Sequence, residues 1–150
     1  MNAAQPPADL ILLISRAEQL AVRRLEAALQ REAPDASIEQ WRVLALLADG
    51  NGHTMSEIAD HALLPAPTAT KLADRLVSGN LVYRHPDPAD RRRVLVHLTD
   101  RGRELHERLA AAFTDFHAEL VGNLGGEADL HGLLSRLIAA LEPVRTSPDY

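Results

Sequence analysis

The segment from Leu64 to Gly102 restricts the fold of this chain more than any other part of it. Near its end, Val94, Val96 and Leu98 occupy every second position, which is typical of a strand with one buried face. The turn before that strand, residues 87–93, carries two aspartates, a proline and three consecutive arginines. Guanidinium groups stay charged and need a carboxylate, a phosphate or water. We therefore predict a β-hairpin with an exposed, basic tip.

Two short helices are predicted before the hairpin, joined by a tight corner at Leu63-Leu64. Thr54 and Glu57 have the spacing of a capping box at the start of the first helix, and Gly79-Asn80 ends the second. Such a pair forms a helix-turn-helix, whose second helix enters the major groove of DNA. The elements predicted for this winged helix-turn-helix are helices over residues 54–62 and 65–78 and strands over residues 81–85 and 93–99.

Three further amphipathic helices lie toward the chain ends. Asp9 caps the first, Thr99 starts a long one, and Pro143 ends the last. One chain offers too few partners to cover their apolar stripes, so a second copy of the chain is the simplest cover. We predict a mainly α fold with a small β-hairpin, in a single domain over residues 1–150 that forms a homodimer. Its predicted parts are dimerisation helices over residues 9–32 and 103–142 and a winged helix-turn-helix lobe over residues 37–102.

The charge distribution favours a nucleic-acid partner for this lobe. The chain carries a net charge of −5. Residues 65–103, however, hold eight basic and four acidic side chains, a net of +4 against −9 for the remainder. Phosphate neutralisation needs a basic face and not a basic protein. The asymmetry predicts that this segment contacts double-stranded DNA.

Several other functions are disfavoured by the composition. The chain has no cysteine, which excludes disulfides, thiolate metal sites and thiol chemistry. No phosphate-binding glycine loop, nucleophile elbow or supported carboxylate pair is present, so we predict no enzymatic activity, no catalytic residue and no cofactor. The seven histidines do not pair at the spacing of a helical zinc site. With no apolar run of about 20 residues and no signal-type N-terminus, we predict a cytoplasmic protein that does not enter membranes.

From its first helix to its last, the chain resembles the multiple antibiotic resistance regulator (MarR) family. The most specific match runs from Asp90 to Gly102, where an Asp-x-Arg turn leads into a strand and then into Leu-Thr-x-x-Gly. Weaker matches are found at Gln40–Leu44, Glu57–Asp60, Thr68–Leu76 and Gly79–Val82. Two features depart from the family pattern. Leu63-Leu64-Pro65 stands where Gly-Leu-Ser is usual, and the cysteine of peroxide-sensing members is absent.

The resemblance implies a dimeric winged-helix regulator, usually a repressor. In that family, DNA affinity falls when a small, often aromatic acid binds between the dimer helices and the DNA-binding lobe. We therefore expect a sequence-specific, ligand-responsive repressor that binds a palindromic operator as a homodimer. Two alternatives are a winged-helix protein-interaction module that does not bind DNA and a metal-responsive regulator.

The residues expected to contact DNA lie on the second helix of the helix-turn-helix and at the hairpin tip. They are Pro67, Thr68, Thr70, Lys71, Arg75, Arg91, Arg92 and Arg93. Hydroxyls near the helix start and cations one turn later suit bases and phosphates respectively. Arg92 aligns with the wing arginine of the family, which enters the minor groove. The plainer interpretation is a solvated turn and an ordinary exposed helix face.

Two aspartates are expected to support the wing, which is the predicted β-hairpin, and two residues are expected to bind the effector. Asp90 holds a neighbouring arginine, and Asp74 pairs with a wing arginine to keep the hairpin against the helix. Arg16 faces the expected ligand cleft and can bind a carboxylate, although a salt bridge between subunits explains it equally well. Trp41 is the other candidate, but a place in the core fits it better.

Overall fold

Eight elements follow one another in the computed structural model, which describes residues 9–124 and 129–143. Six are helices and two form an antiparallel hairpin, so the predicted mainly α winged helix-turn-helix fold is confirmed. The elements are α1 (Leu10–Glu32), α2 (Ile38–Leu47), α3 (Met55–Ala62), α4 (Ala66–Ser78), β1 (Val82–Pro86), β2 (Val94–Leu98), α5 (Asp100–Asn123) and α6 (Leu130–Leu141).

The helix starts are set by side-chain caps. The Asp9 carboxylate accepts a hydrogen bond from the Leu12 amide, and the Ser37 hydroxyl accepts one from the Gln40 amide, each at 3.1 Å. At α3 the predicted capping box is complete, because Thr54 accepts from the Glu57 amide while the Glu57 carboxylate accepts from the Thr54 amide at 2.7 Å. Such caps satisfy amides that have no partner within the helix. The local sequence therefore places these three helix starts.

The hairpin differs from the predicted one by one residue at each of its four strand ends. The strands were expected at 81–85 and 93–99 and lie at Val82–Pro86 and Val94–Leu98. Leu81 does not belong to the strand, because its amide donates to the Leu76 carbonyl at the end of α4. Arg93 does not belong to the second strand, because its amide donates to the Asp90 carbonyl inside the turn. Thr99 instead caps α5, its hydroxyl accepting from the Gly102 amide at 2.9 Å.

The core of the helix-turn-helix joins α2, α3, α4 and the hairpin. Val82, Val96 and Leu98 point inward from the two strands, so the predicted buried face of the second strand includes Val96 and Leu98 but not the exposed Val94. The hairpin is extended by His53, whose amide and carbonyl both bond to Val96 of β2. The other fully buried large side chains are Leu29, Val43, Leu44, Leu47, Ile58 and Leu109.

The contact between α5 and the connection from α4 to β1 is close enough to require glycine. A Cβ on Gly102 would overlap the carbonyl oxygen of Leu81 and would lie 3.2 Å from Leu98 Cδ2. The Thr99 hydroxyl donates to the Asn80 carbonyl at 2.7 Å, and the Thr99 amide donates to the Leu81 carbonyl. We call Asn80, Leu81, Thr99 and Gly102 the wing base. It fixes the wing relative to the helix that precedes it.

The chain divides after Thr114 into two compact units. The first contains α1 to β2 and the first part of α5, and the second contains the rest of α5 and α6. Many large apolar side chains on α1 and α6 are exposed, and within residues 130–141 no residue of α6 is buried. The exposed large apolar residues are Leu10, Ile11, Leu12, Leu13 and Leu20 on α1 and Leu133, Leu134, Ile138 and Leu141 on α6.

Candidate nucleic-acid interface

Helix α4 has one buried and one exposed face. Ala69, Leu72, Ala73 and Leu76 are buried at helical spacing against the rest of the lobe. The opposite face carries only exposed side chains, and it contains all the residues of this helix for which a role was predicted: Pro67, Thr68, Thr70, Lys71, Asp74 and Arg75. The burial of one face therefore turns these six outward together.

The start of α4 is free of a side-chain cap. Pro65 occupies the N-cap position and makes no capping hydrogen bond. The first turn of a helix carries unsatisfied amides and the positive end of the helix dipole, which together favour an anion. A phosphate can therefore approach this end without displacing a capping group.

Thr70 has its hydroxyl proton engaged within the helix. Its Oγ1 donates to the Ala66 carbonyl at 3.0 Å. The hydroxyl oxygen still has lone pairs free to accept a hydrogen bond. In this rotamer Thr70 suits a base that donates in the major groove, which is adenine through N6 or cytosine through N4.

The arginine-rich turn of the wing is held by its own aspartates. The Asp90 carboxylate accepts from the Arg92 amide at 3.1 Å and lies 3.4 Å from Arg92 Nε. Asp87 is buried, accepts from the Ala89 amide at 2.9 Å and lies 3.7 Å from Arg93 Nη1. These local bonds make two consecutive turns of the kind that Asp favours.

The guanidinium groups at the tip nevertheless extend into solvent. The Arg92 side chain is 94 % exposed and that of Arg93 is 51 % exposed. Arg91 is exposed as well, and within the described part of the chain no acidic partner lies against it. Weak ion pairs on the surface are easily exchanged for stronger charge-assisted bonds to phosphate.

Asp74 joins α4 to the wing through Arg84. The Arg84 Nη2 atom lies 2.6 Å from Asp74 Oδ1, and Arg84 stands on β1 opposite Val96. The sequence predicted that Asp74 pairs with a wing arginine but did not identify Arg84 as that arginine. The pair holds α4 and the hairpin in one arrangement.

His53 connects the wing to the loop after α2 and to the start of α3. Its Nε2 lies 2.8 Å from Asp49 Oδ2, and its Nδ1 lies 3.7 Å from Glu57 Oε2. The pKa of Asp49 is lowered by the amide hydrogen bond from Asn51 and then by His53. The pKa of Glu57 is lowered mainly by its hydrogen bonds from Thr54. Both carboxylates therefore stay ionised beside the histidine.

Neither of the two residues predicted to bind an effector lines the cavity described for the first unit. Arg16 is exposed on α1, and Trp41 is buried on α2 between the rings of His106 and Phe113, with centroid distances of 5.4 and 5.1 Å. The cavity, of about 470 Å³, lies between the α1–α2 connection and the start of α5. It is lined by Ala33, Pro34, Asp35, Ala36, Gln40, Leu81, Arg101, Glu104, Leu105 and Arg108.

The stack of His106 on Trp41 makes the stability of the first unit depend on pH. Burial lowers the pKa of His106, although Glu107 opposes this in part. The pKa of His106 in the folded state is therefore below the unfolded value of about 6.5. Its contribution to stability is fully present above that value and is lost as the pH drops through the folded-state pKa. Urea unfolding can be followed by the fluorescence of the sole tryptophan. When the pH is lowered from 7.5 to 5.2, we expect the urea midpoint to decrease less in His106→Phe than in the unmodified protein.

His61→Gln, at an exposed site on α3, is the matched control for this prediction and should keep the full pH dependence. Asp49 and Glu57 do not interfere, because their lowered pKa values place their titration below this range. Equal pH dependence in His106→Phe and in the unmodified protein would contradict the assignment.

Within residues 9–124 and 129–143 no group of three histidine, aspartate or glutamate side chains is placed to hold a metal ion. In the same ranges no helix is both long enough and apolar enough to cross a bilayer.

Comparison with known proteins gives the same fold and a specific family. A MarR family regulator from Silicibacter pomeroyi superposes with a TM-score of 0.79 at 28 % identity, over 90 % of this chain and 96 % of that one. The transcriptional repressor CouR, solved bound to a 23-mer DNA duplex, gives a TM-score of 0.75 at 26 % identity, over 89 % and 92 % of the two chains.

The sequence comparisons decide the family. The HTH-type transcriptional regulator FarR of Neisseria gonorrhoeae is 31 % identical over 106 residues, which is 71 % of each chain. The profile described as MarR family matches residues 35–93. The chain belongs to the MarR family. The family resemblance inferred from the sequence is thereby confirmed, and these relatives are transcriptional regulators and not enzymes, as the sequence predicted.

Proposed function

We propose that this MarR family regulator is a ligand-responsive repressor that acts in the cytoplasm. As a homodimer, it binds a palindromic operator in double-stranded DNA. The observation that carries the proposal is the shared exposure of two basic elements tied together by one ion pair. Lys71 and Arg75 on α4 and Arg91, Arg92 and Arg93 on the wing are all exposed, while Asp74 and Arg84 connect the two elements. The related repressor CouR binds a DNA duplex.

The proposed contacts follow from the chemistry of each side chain. We assign Pro67, Thr68 and Thr70 to the major groove, where side chains meet base edges. Lys71, Arg75, Arg91 and Arg93 are assigned to phosphates, and Arg92 to the minor groove beside the wing. Asp74 and Asp90 are supporting residues, because each bonds to an arginine of the wing.

The homodimer is supported by the apolar side chains that one chain leaves uncovered on α1 and α6. Leucines and isoleucines are exposed on each of these two helices, and exposed apolar surface of this kind favours association. A two-fold dimer presents two copies of α4, so it matches a site with inverted symmetry.

The effector proposed is a small aromatic acid. Arg16, exposed on α1, can hold its carboxylate in a bidentate pair. Trp41 contributes less directly, because it is only 9 % exposed and its ring faces are packed on His106 and Phe113. A ligand of this kind lowers DNA affinity only if it binds better to a dimer whose recognition helices are wrongly spaced.

The experiment that tests the function is selection of bound sequences from a pool of random duplexes by the purified protein. We expect an inverted repeat to be enriched and to bind two chains; this sequence is called the selected duplex below. Thr70→Val should lose discrimination of about 1–3 kcal/mol at one base position, whereas Lys71→Ala should weaken all duplexes alike.

Three results would contradict parts of this proposal. Binding of both variants at full strength to selected and scrambled duplexes would exclude α4 as the reader. A folded protein that enriches no sequence would favour a protein-interaction module. Salicylate, used as the test effector, should release the selected duplex from the unmodified protein but not from Arg16→Ala; equal release from both would leave Arg16 as a structural residue.

A further inference from the structure

Leu63 has a backbone conformation that its side chain disfavours. It ends α3 with φ 58° and ψ 43°, in the left-handed helical region. Its amide donates to the Asp60 carbonyl at 3.3 Å, and the Leu64 amide donates to the Ala59 carbonyl at 2.9 Å. Glycine makes the same bonds at a helix end without steric cost. The turn itself therefore gives no reason for a leucine here.

Burial gives no reason either. Leu63 is 75 % exposed, more than any other large apolar residue of 9–124 and 129–143. Its neighbour Leu64 is partly buried and anchors the corner between the helices. A strained residue with an exposed apolar side chain is a candidate for a contact made outside the chain, because backbone strain concentrates at functional sites.

The surroundings of Leu63 indicate what that contact is. Pro65, Ala66 and Pro67 at the start of α4 are exposed as well. Together with Leu63 they form an apolar rim, which leads the helix that carries Thr70 and Lys71 on its outer face. None of these four side chains can hydrogen-bond to a base edge or a phosphate. The C5-methyl group of thymine is the apolar group that the base edges present in the major groove.

We propose that Leu63 contacts the C5-methyl group of a thymine, so that the apolar rim reads an A·T pair beside the bases read by Thr70. This inference rests on the proposed function, because it requires α4 to enter the major groove. It adds a specificity-determining residue that lies outside the recognition helix.

The test compares two duplexes and two side chains. The probe is the selected duplex, made either with thymine or with deoxyuridine at every thymine position, which removes only the methyl groups. Leu63→Ala should bind the thymine duplex roughly fourfold to fifteenfold more weakly, as the loss of one methyl-sized contact from one or from both halves of the dimer implies. On the deoxyuridine duplex, Leu63→Ala and the unmodified protein should bind alike. Val77→Ala, an exposed site in the last turn of α4, should keep the full effect of deoxyuridine.

Leu63→Gly separates the contact from the strain. Glycine and alanine both remove the side chain, but only glycine relieves the left-handed conformation. We expect the two variants to bind the thymine duplex equally weakly, with a higher urea midpoint for Leu63→Gly than for Leu63→Ala. Binding that follows stability, normal in Leu63→Gly and weak in Leu63→Ala, would overturn the proposal.

Two other results are also decisive. If Leu63→Ala loses the same factor on both duplexes, or loses nothing, the thymine contact is refuted while DNA binding stands. If the unmodified protein enriches no duplex, the proposed function fails and the contact fails with it.

Discussion

Arg92→Ala should weaken binding of the selected duplex by about 10²-fold, since a dimer would lose two charge-assisted hydrogen bonds of about 1.5 kcal/mol each. The side chain is 94 % exposed and pairs with Asp90 two positions before it, so little within the described part of the chain depends on it. If Arg92 binds phosphate, the slope of log K against log salt should fall by about 0.9 for each phosphate that is no longer neutralised. Fluorescence anisotropy across a salt series gives both values.

Arg31→Ala is the matched control, because Arg31 is also exposed but lies in the last turn of α1. It should leave both affinity and slope unchanged. The proposed insertion of Arg92 into the minor groove predicts a loss of affinity at sites with A·T-rich flanks and no change of slope, whereas a lower slope would place Arg92 on phosphate instead. Unchanged affinity and slope in a folded Arg92→Ala protein would remove the wing tip from the interface.

Gly102→Ala should destabilise the first unit by about 1–3 kcal/mol, the usual cost of overpacking. The new methyl group would meet the backbone carbonyl of Leu81, which cannot rotate away as a side chain does. The wing base must then separate, and the hairpin loses its position relative to α4. Urea unfolding followed by Trp41 fluorescence measures the stability, and binding of the selected duplex should weaken in the same variant.

Gly122→Ala provides the opposite case within the same helix. A Cβ there meets no atom within 4 Å, so only helix propensity changes, which favours alanine by up to about 1 kcal/mol. Gly102→Ala as stable as the unmodified protein would contradict the close contact at the wing base. Equal losses in both variants would mean that glycine is needed along α5 for another reason.

The sequence predicted those features that depend on neighbouring residues. The caps at Asp9, Ser37 and Thr54 act over three residues, so their helix starts could be placed closely. The basic turn was also predictable, because Asp90 bonds to the Arg92 amide two residues away. The buried Asp87, which was not singled out, makes the same local bond to the Ala89 amide. Its aspartate-proline sequence was the signal that could have identified it.

The features that escaped prediction depend on parts of the chain that meet only in the fold. Arg84 pairs with Asp74 because the hairpin register turns it toward α4, and no local pattern contains that register. His53 extends the hairpin from the loop that precedes α3, far from Val96 in the sequence. The left-handed conformation of Leu63 also escaped, since leucine rarely adopts it. The strand ends shifted in part because the Leu81 amide donates to Leu76 of α4 and the Thr99 hydroxyl caps α5.

The most direct test of sequence-specific DNA recognition is the ratio of two affinities of the unmodified protein at one salt concentration. The selected duplex and a scrambled duplex of the same composition and length are titrated at about 150 mM salt, where non-specific binding is weak. If α4 and the wing read DNA sequence, the selected duplex should bind at least about 10³-fold more tightly. Equal affinity for the two duplexes, with the protein folded, would contradict this recognition.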